Sequence, residues 1–284
     1  MDSGITDLLR RIAAAEGEIR LLNVYQGIPI AFPAAIVFVG QNSVTVKTER
    51  YQLVCLFRER QTHIQYPGLP AVIRARVEQI DPSNLQANLY EFEYSREGIG
   101  ERRQIRVWPK EAVTGELQLP DRTETIKGEL ADISLDGMGI YLPEADGYAQ
   151  VFRQGRKVAI SLRLPGVFHI QQPKRYDPSS AGEVNRYDRT QLRLSTIHTP
   201  AYGSDRDDVA AIKTVHSPEI EVYGIVSNYY TEAYTRRHRI GIRLQPNELY
   251  RSIVSQFISQ RQSEIIQEIN AIYRLLTRET GALR

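Results

Sequence analysis

The sequence predicts a mainly β protein: two antiparallel strand domains in tandem, with a helix at each end. Three observations carry this. From about 27 to 94, and again from about 105 to 244, apolar residues recur at every second position, as in half-buried strands. Residues 5–22 and 247–278 instead place apolar residues at the period of an amphipathic helix. Clusters of Gly, Pro, Asn and Asp punctuate the strand stretches where tight turns are required.

In the first helix, Ile5, Leu8, Leu9, Ile12, Ile19 and Leu22 form the stripe, and Asp2 or Ser3 is placed to cap it. It either packs on its own domain or forms a dimer contact. Strands are then expected at 28–32, 35–39, 44–47, 52–57, 62–66, 71–80 and 85–94. Gly40-Gln41-Asn42-Ser43 and Asp81-Pro82-Ser83-Asn84 are the turns between neighbours. Antiparallel strands with no helix among them predict a small barrel, so residues 1–94 read as one domain.

Ser95 to Gly100 is a linker with two glycines, and 95–106 carries a basic knot. The second set of strands is expected at 105–108, 114–119, 126–133, 138–142 and 157–164, then at 220–230 and 236–244, within a domain spanning 107–246. Trp108, the single tryptophan, is either a core or interface aromatic or stacks on a ligand. Residues 165–216 break the pattern with polar, turn-rich sequence around a short apolar run, Leu192 to Ile197. Such an insertion is either a surface excursion or a flap that binds a partner or regulates the protein itself. Arg236, Arg237, His238 and Arg239 alternate faces and read as a charged edge rather than four ligands. After Pro246 the chain is helical, with Asn247 as its cap and Gly281 beyond its end. The second half of this helix carries more apolar surface than one barrel buries, which points to homo-oligomerisation through the terminal helices.

Composition bounds the function. A chain of 284 residues holds two ordinary domains, and 25% charged residues is normal for a globular protein. The net charge of +2 is too small for a dedicated nucleic-acid binder, so DNA is not an expected partner and any basic site is local. Cys55 is the single cysteine, which excludes a disulfide framework within one chain and indicates a reducing compartment; it reads as a core thiol. No apolar run reaches the roughly 18 residues of a membrane span. Met1-Asp2-Ser3-Gly4 lacks the start of a signal peptide. A cytoplasmic protein is expected.

The chemistry concentrates between Glu101 and Leu142. Arg102-x-x-x-Arg106, with Arg103 between them, supplies planar, permanently charged forks that fit phosphates or a guanine edge. Asp132-x-Ser134-x-x-Gly137 follows at the end of a strand. Asp132 offers acceptors for the N1 and N2 donors of guanine, and Ser134 a hydroxyl. Gly137 can adopt positive φ, so that backbone comes close to a ligand. Taken singly, the arginines suit a solvated face and the second motif an Asx or Ser turn closing a hairpin. Their order and separation are more specific.

On these residues the chain resembles the PilZ family of cyclic di-GMP receptors. Arg239-Ile240-Gly241-Ile242-Arg243-Leu244 is similar to the last barrel strand of that family, and a helix follows here as there. The resemblance covers roughly 100 to 260. It implies a six-stranded antiparallel barrel and cyclic di-GMP held by Arg102 and Arg106 on one side and Asp132, Ser134 and Gly137 on the other; Arg103, between the two arginines, is counted with the ligand-binding residues. The long insertion departs from the family. By order and strand count, the β domain before the arginines resembles the split-barrel accessory domain of flagellar-brake-type members.

Cys-x-x-Cys, His-Glu-x-x-His, Gly-x-Ser-x-Gly and the phosphate loop are all missing, and the five histidines are scattered. The expectation is therefore a binding protein rather than an enzyme, with no cofactor. Cyclic di-GMP would change the arrangement of the two domains, and a protein partner would read the change. The alternative is a ligand-independent adaptor acting through its insertion and terminal helices.

Overall fold

The computed structural model describes residues 3–95, 104–144, 147–171, 212–232 and 236–281. It divides into two compact units, residues 1–105 with 262–284, and residues 106–261.

In the first unit, α1 (Ser3–Ala14) leads into β1 (Glu18–Tyr25), β2 (Ile28–Val39) and β3 (Ser43–Thr48). Then come α2 (Arg50–Glu59), β4 (Gln61–Gln65), β5 (Ile73–Asp81) and β6 (Gln86–Tyr94). The six strands close into an antiparallel barrel in the order β1-β2-β3-β6-β5-β4. Ile5, Leu9 and Ile12 of α1 belong to its core, so this helix packs on its own unit.

Three expectations change here. The first helix stops at Ala14 instead of continuing to 22. Glu16 turns left-handed (φ 51°), and the Gly17 N–H returns to the Ile12 carbonyl at 2.9 Å, closing the helix before Ile19 and Leu22 join β1. Residues 28–32 and 35–39 belong to one strand. Pairing runs through Pro33, although proline lacks the N–H of a ladder residue, with Arg20 opposite. The run 52–57 is helical, with Gln52 to Leu56 all buried and Arg60 ending α2 in a left-handed cap. An unbroken apolar run has no strand period to distinguish it from a buried helix.

The second unit opens with an isolated bridge, Val107 to Ile133, where a strand over 105–108 is expected. There follow β7 (Thr114–Gln118), β8 (Thr125–Ile133), β9 (Gly137–Tyr141), the short α3 (Tyr148–Val151) and β10 (Lys157–Arg163). Next are β11 (Val167–Gln171), β12 (Ile212–His216), β13 (Glu219–Thr231), β14 (His238–Gln245) and α4 (Glu248–Gly281). A second closed barrel runs β10-β13-β14-β9-β8-β7, while β11 and β12 pair as a separate two-stranded sheet. The molecule is thus mainly β, with two six-stranded antiparallel barrels in tandem. The insertion begins and ends as the arms of this hairpin; Leu192 to Ile197 lie outside the described residues.

Helix α4 supplies Tyr250, Ile253, Val254 and Phe257, all buried, in the part assigned to the second unit. Beyond Arg261, Ile265 and Ile269 are buried and Tyr273 packs on the core of the first unit. Much of the apolar face expected to need another chain is therefore covered within this one; Ile266 and Leu275 stay exposed. Among the described residues no helix is long and apolar enough to cross a membrane.

Candidate functional site

The site is built on the outer face of the second barrel, where β8 hands over to β9. A bulge between Leu130 and Asp132 sets it up. Leu130 pairs with Ile140, Asp132 with Gly139 and Ile133 with Met138, so Ala131 is the extra residue. Strand side chains alternate, and one added residue reverses the alternation. Ile133 therefore points into the core beside Met138, and Asp132 turns outward over Gly139.

Val107 pins the end of the arginine motif to this strand. Its N–H donates to the Ile133 carbonyl at 3.0 Å, and the Ile133 N–H returns to Val107 at 3.1 Å. Arg106 is thereby adjacent to Asp132, and its Nη1 donates to Oδ1 at 3.3 Å. Arg102 and Arg103 lie outside the described residues. Trp108 is half exposed, which removes the barrel-core reading, and its carbonyl accepts from Arg261 Nε at 3.0 Å.

Ser134 is buried, and both its N–H (2.8 Å) and its hydroxyl (2.9 Å) donate to the Gly137 carbonyl. The hydroxyl proton is spent on closing the turn, leaving oxygen lone pairs as acceptors. From behind, the buried Tyr250 hydroxyl donates to the Ser134 carbonyl at 3.2 Å, and Arg251 pairs with Asp136 at 3.4 Å. Asn247 caps α4 as expected, accepting the Tyr250 N–H at 2.7 Å. Gly137 is not left-handed. Its missing Cβ matters because that atom would sit 2.9 Å from the Ile242 carbonyl and 3.6 Å from Arg106 Nη2.

The structure adds a set of residues that the sequence reading left out. Ladder register puts Glu129, Tyr141, Arg239 and Tyr230 in one row across β8, β9, β14 and β13. Asp132, Gly139, Gly241 and Asn228 form the adjacent row. Arg239 leans over Gly139 and donates to Asp132 Oδ2, while its other nitrogen meets Glu232 Oε1 at 3.2 Å. A Cβ at 139 would fall 2.6 Å from this guanidinium. The Tyr141 and Tyr230 rings lie 5.6 and 5.7 Å from it. Arg237 pairs with Glu129 at 2.6 Å and covers the Tyr141 ring at 4.0 Å. Burial and then the bond to Glu232 push the Tyr141 hydroxyl up to about 12, so it remains a donor, at 2.8 Å. Burial opposes the Arg239 charge, but Asp132, Tyr230, Tyr141 and Glu232 outweigh it and raise its pKa.

The charged edge expected at 236–239 is thus no edge, because β14 lies between β13 and β9 in a closed barrel. The two-residue spacing that puts Arg237 and Arg239 on one face, both over the Tyr141 ring, was the available signal; the register that brings Arg239 onto Asp132 was not readable from spacing. Chemically, the site offers two guanidiniums on one carboxylate, beside aromatic rings. Among the described residues no group of His, Cys, Asp and Glu could hold a metal ion.

No protein-family model and no curated protein matches the chain significantly. Solved structures do resemble it. The inhibitor of motility MotI/DgrA of Bacillus subtilis shares 14% identity, with 87% of this chain and 96% of that one covered and a TM-score of 0.38. YcgR of Escherichia coli in complex with c-di-GMP shares 12%, covering 94% and 93%, with a TM-score of 0.37. The PilZ domain of YcgR with c-di-GMP shares 12%, covering 60% of this chain and 98% of that one, with a TM-score of 0.33.

Proposed function

We propose that this chain is a receptor for cyclic di-GMP. Arg102, Arg103 and Arg106 hold the ligand on one side, and Asp132, Ser134 and Gly137 on the other. The reading is carried by the reciprocal Val107–Ile133 hydrogen bonds, which hold the end of the arginine motif against the strand that ends in Asp132. Opposite charges then meet a ligand that carries both kinds of partner. Its two phosphates take guanidinium forks bidentately, and its guanine N1–H and 2-amino groups donate to a carboxylate. Binding changes the arrangement of the two units, and a protein partner reads the change. Pairing of copies through the terminal helices, using exposed Ile266 and Leu275, extends this reading.

Isothermal titration with cyclic di-GMP tests it. A charge-assisted hydrogen bond contributes roughly 1.5–3 kcal/mol, so Arg102→Ala and Arg106→Ala each weaken binding by about tenfold to a hundredfold. A folded wild-type protein that gives no heat rejects the receptor.

One observation favours a second reading, a ligand-independent adaptor. The Asp132 carboxylate and the Ser134 hydroxyl already have partners inside the chain. On this reading the motif residues are structural, and the same arginine variants lower the melting temperature without any ligand to lose.

A further inference from the structure

Asp132 is almost completely covered, its side chain 3% exposed, yet the two guanidiniums on it are not equivalent. Arg106 is 32% exposed and meets Oδ1 at 3.3 Å, near the outer limit of a hydrogen bond. Arg239 is 17% exposed and is built in on every side. It holds Oδ2 with one nitrogen and Glu232 with the other, lies between Tyr141 and Tyr230, and occupies the space that glycine at 139 leaves open.

The next step rests on the cyclic di-GMP reading. For guanine to reach the Asp132 carboxylate, one guanidinium must leave it. Arg106, more exposed and more loosely bonded, is the one free to move onto the ligand. Its departure would strand a buried carboxylate if nothing else paired with it, and an unpaired buried charge is strongly unfavourable. We infer that Arg239 is the positioning residue of this site. It stays on Oδ2 and keeps the Asp132 charge paired while Arg106 exchanges partners. By fixing the carboxylate plane it turns the vacated Oδ1 toward the guanine donors. Arg106 then serves the grip on the ligand, and Arg239, through Asp132, serves the choice of base.

The test compares cyclic di-GMP with cyclic di-IMP, which keeps N1–H and lacks the 2-amino group. Both are titrated calorimetrically into wild-type protein, Arg239→Ala and Arg239→Lys, with folding checked by circular dichroism. A site built to accept a donor rejects the analogue that lacks it, so wild-type protein should prefer the guanine ligand by about tenfold or more. In Arg239→Ala that ratio falls toward one, and Arg239→Lys, which keeps a cation in place, recovers part of it. A drop in affinity that is equal for both ligands, leaving the ratio intact, overturns the inference and makes Arg239 merely structural. So does an Arg239→Lys variant, folded, that behaves as wild type in a background where Arg239→Ala cannot fold. Wild-type protein that binds neither ligand defeats the receptor reading itself, and this inference with it. Wild-type binding with an unchanged Arg239→Ala ratio defeats this inference alone.

Discussion

At Gly137 and Gly139 the absence of one carbon does two different jobs. A Cβ at 137 would press on the backbone carbonyl of Ile242, which the barrel ladder holds in place. Gly137→Ala therefore strains the scaffold, and overpacking of this kind costs about 1–3 kcal/mol. A Cβ at 139 would meet the Arg239 guanidinium, the far end of a flexible side chain. Gly139→Ala should thus leave the barrel nearly as stable but push Arg239 off Asp132. Thermal melts paired with the two ligand titrations check this: a large melting shift for Gly137→Ala, and a small shift with base preference lost for Gly139→Ala. The reverse pattern would mean that Arg239 does not act through Asp132. The Asp-Ser-Gly turn was legible because its residues are neighbours in sequence. Arg239 lies 107 residues from Asp132 and reaches it only through strand register and a bulge. A single residue's slip in either strand would have placed it elsewhere.

Element by element, the sequence misled where period and length conflict. The apolar run in α2 and the stripe that continues past Ala14 both fit the wrong element, and only a left-handed residue at each boundary, Glu16 and Arg60, settles the matter. Such caps on non-glycine residues leave no compositional trace. The hairpin at the base of the insertion was hidden for another reason: its stability comes from outside it. One edge of β11 pairs with β12. Its other edge is satisfied by side chains of α4, one turn apart. Gln256 accepts the His169 N–H and donates to its carbonyl, both at 2.8 Å, and Gln260 donates to the Val167 carbonyl at 2.7 Å. Glutamines thus take the place of a neighbouring strand and cover an edge that would otherwise be open to other chains. Gln256→Ala with Gln260→Ala should speed hydrogen exchange at the His169 amide by about fivefold, the expected loss for roughly 1 kcal/mol of hydrogen bonding. Ligand affinity should stay within about twofold. Unchanged exchange would show that Phe168, fully buried, holds the hairpin without them.

For the molecule as a whole, α4 is the element that neither core can claim alone. Its residues up to Arg261 belong to the second unit and those from Gln262 to the first. From sequence, the later half looked like a surface awaiting another chain, because an apolar stripe does not reveal whether its cover is intramolecular. Ile265 and Ile269 are buried, and Tyr273 packs on the first core while its hydroxyl reaches the Pro82 carbonyl at 3.4 Å. Each buried side chain of this size stabilises by about 1.5–3 kcal/mol, so ending the chain at Arg261 removes about 3 kcal/mol or more from the first unit. Cys55 reports the consequence. It is fully buried in α2, and burial, with Glu59 adding to it, pushes its thiol up to about 12. At pH 8 it should react with iodoacetamide only when the unit opens. The truncated chain should label about a hundredfold faster than the full one. Arg106, Asp132, Arg239 and Tyr250 all lie before the cut, so cyclic di-GMP titration and Trp108 fluorescence should change little. Labelling that stays slow would show that the first barrel closes without its terminal helix. Loss of ligand binding along with it would show that the two units do not divide their work at this helix.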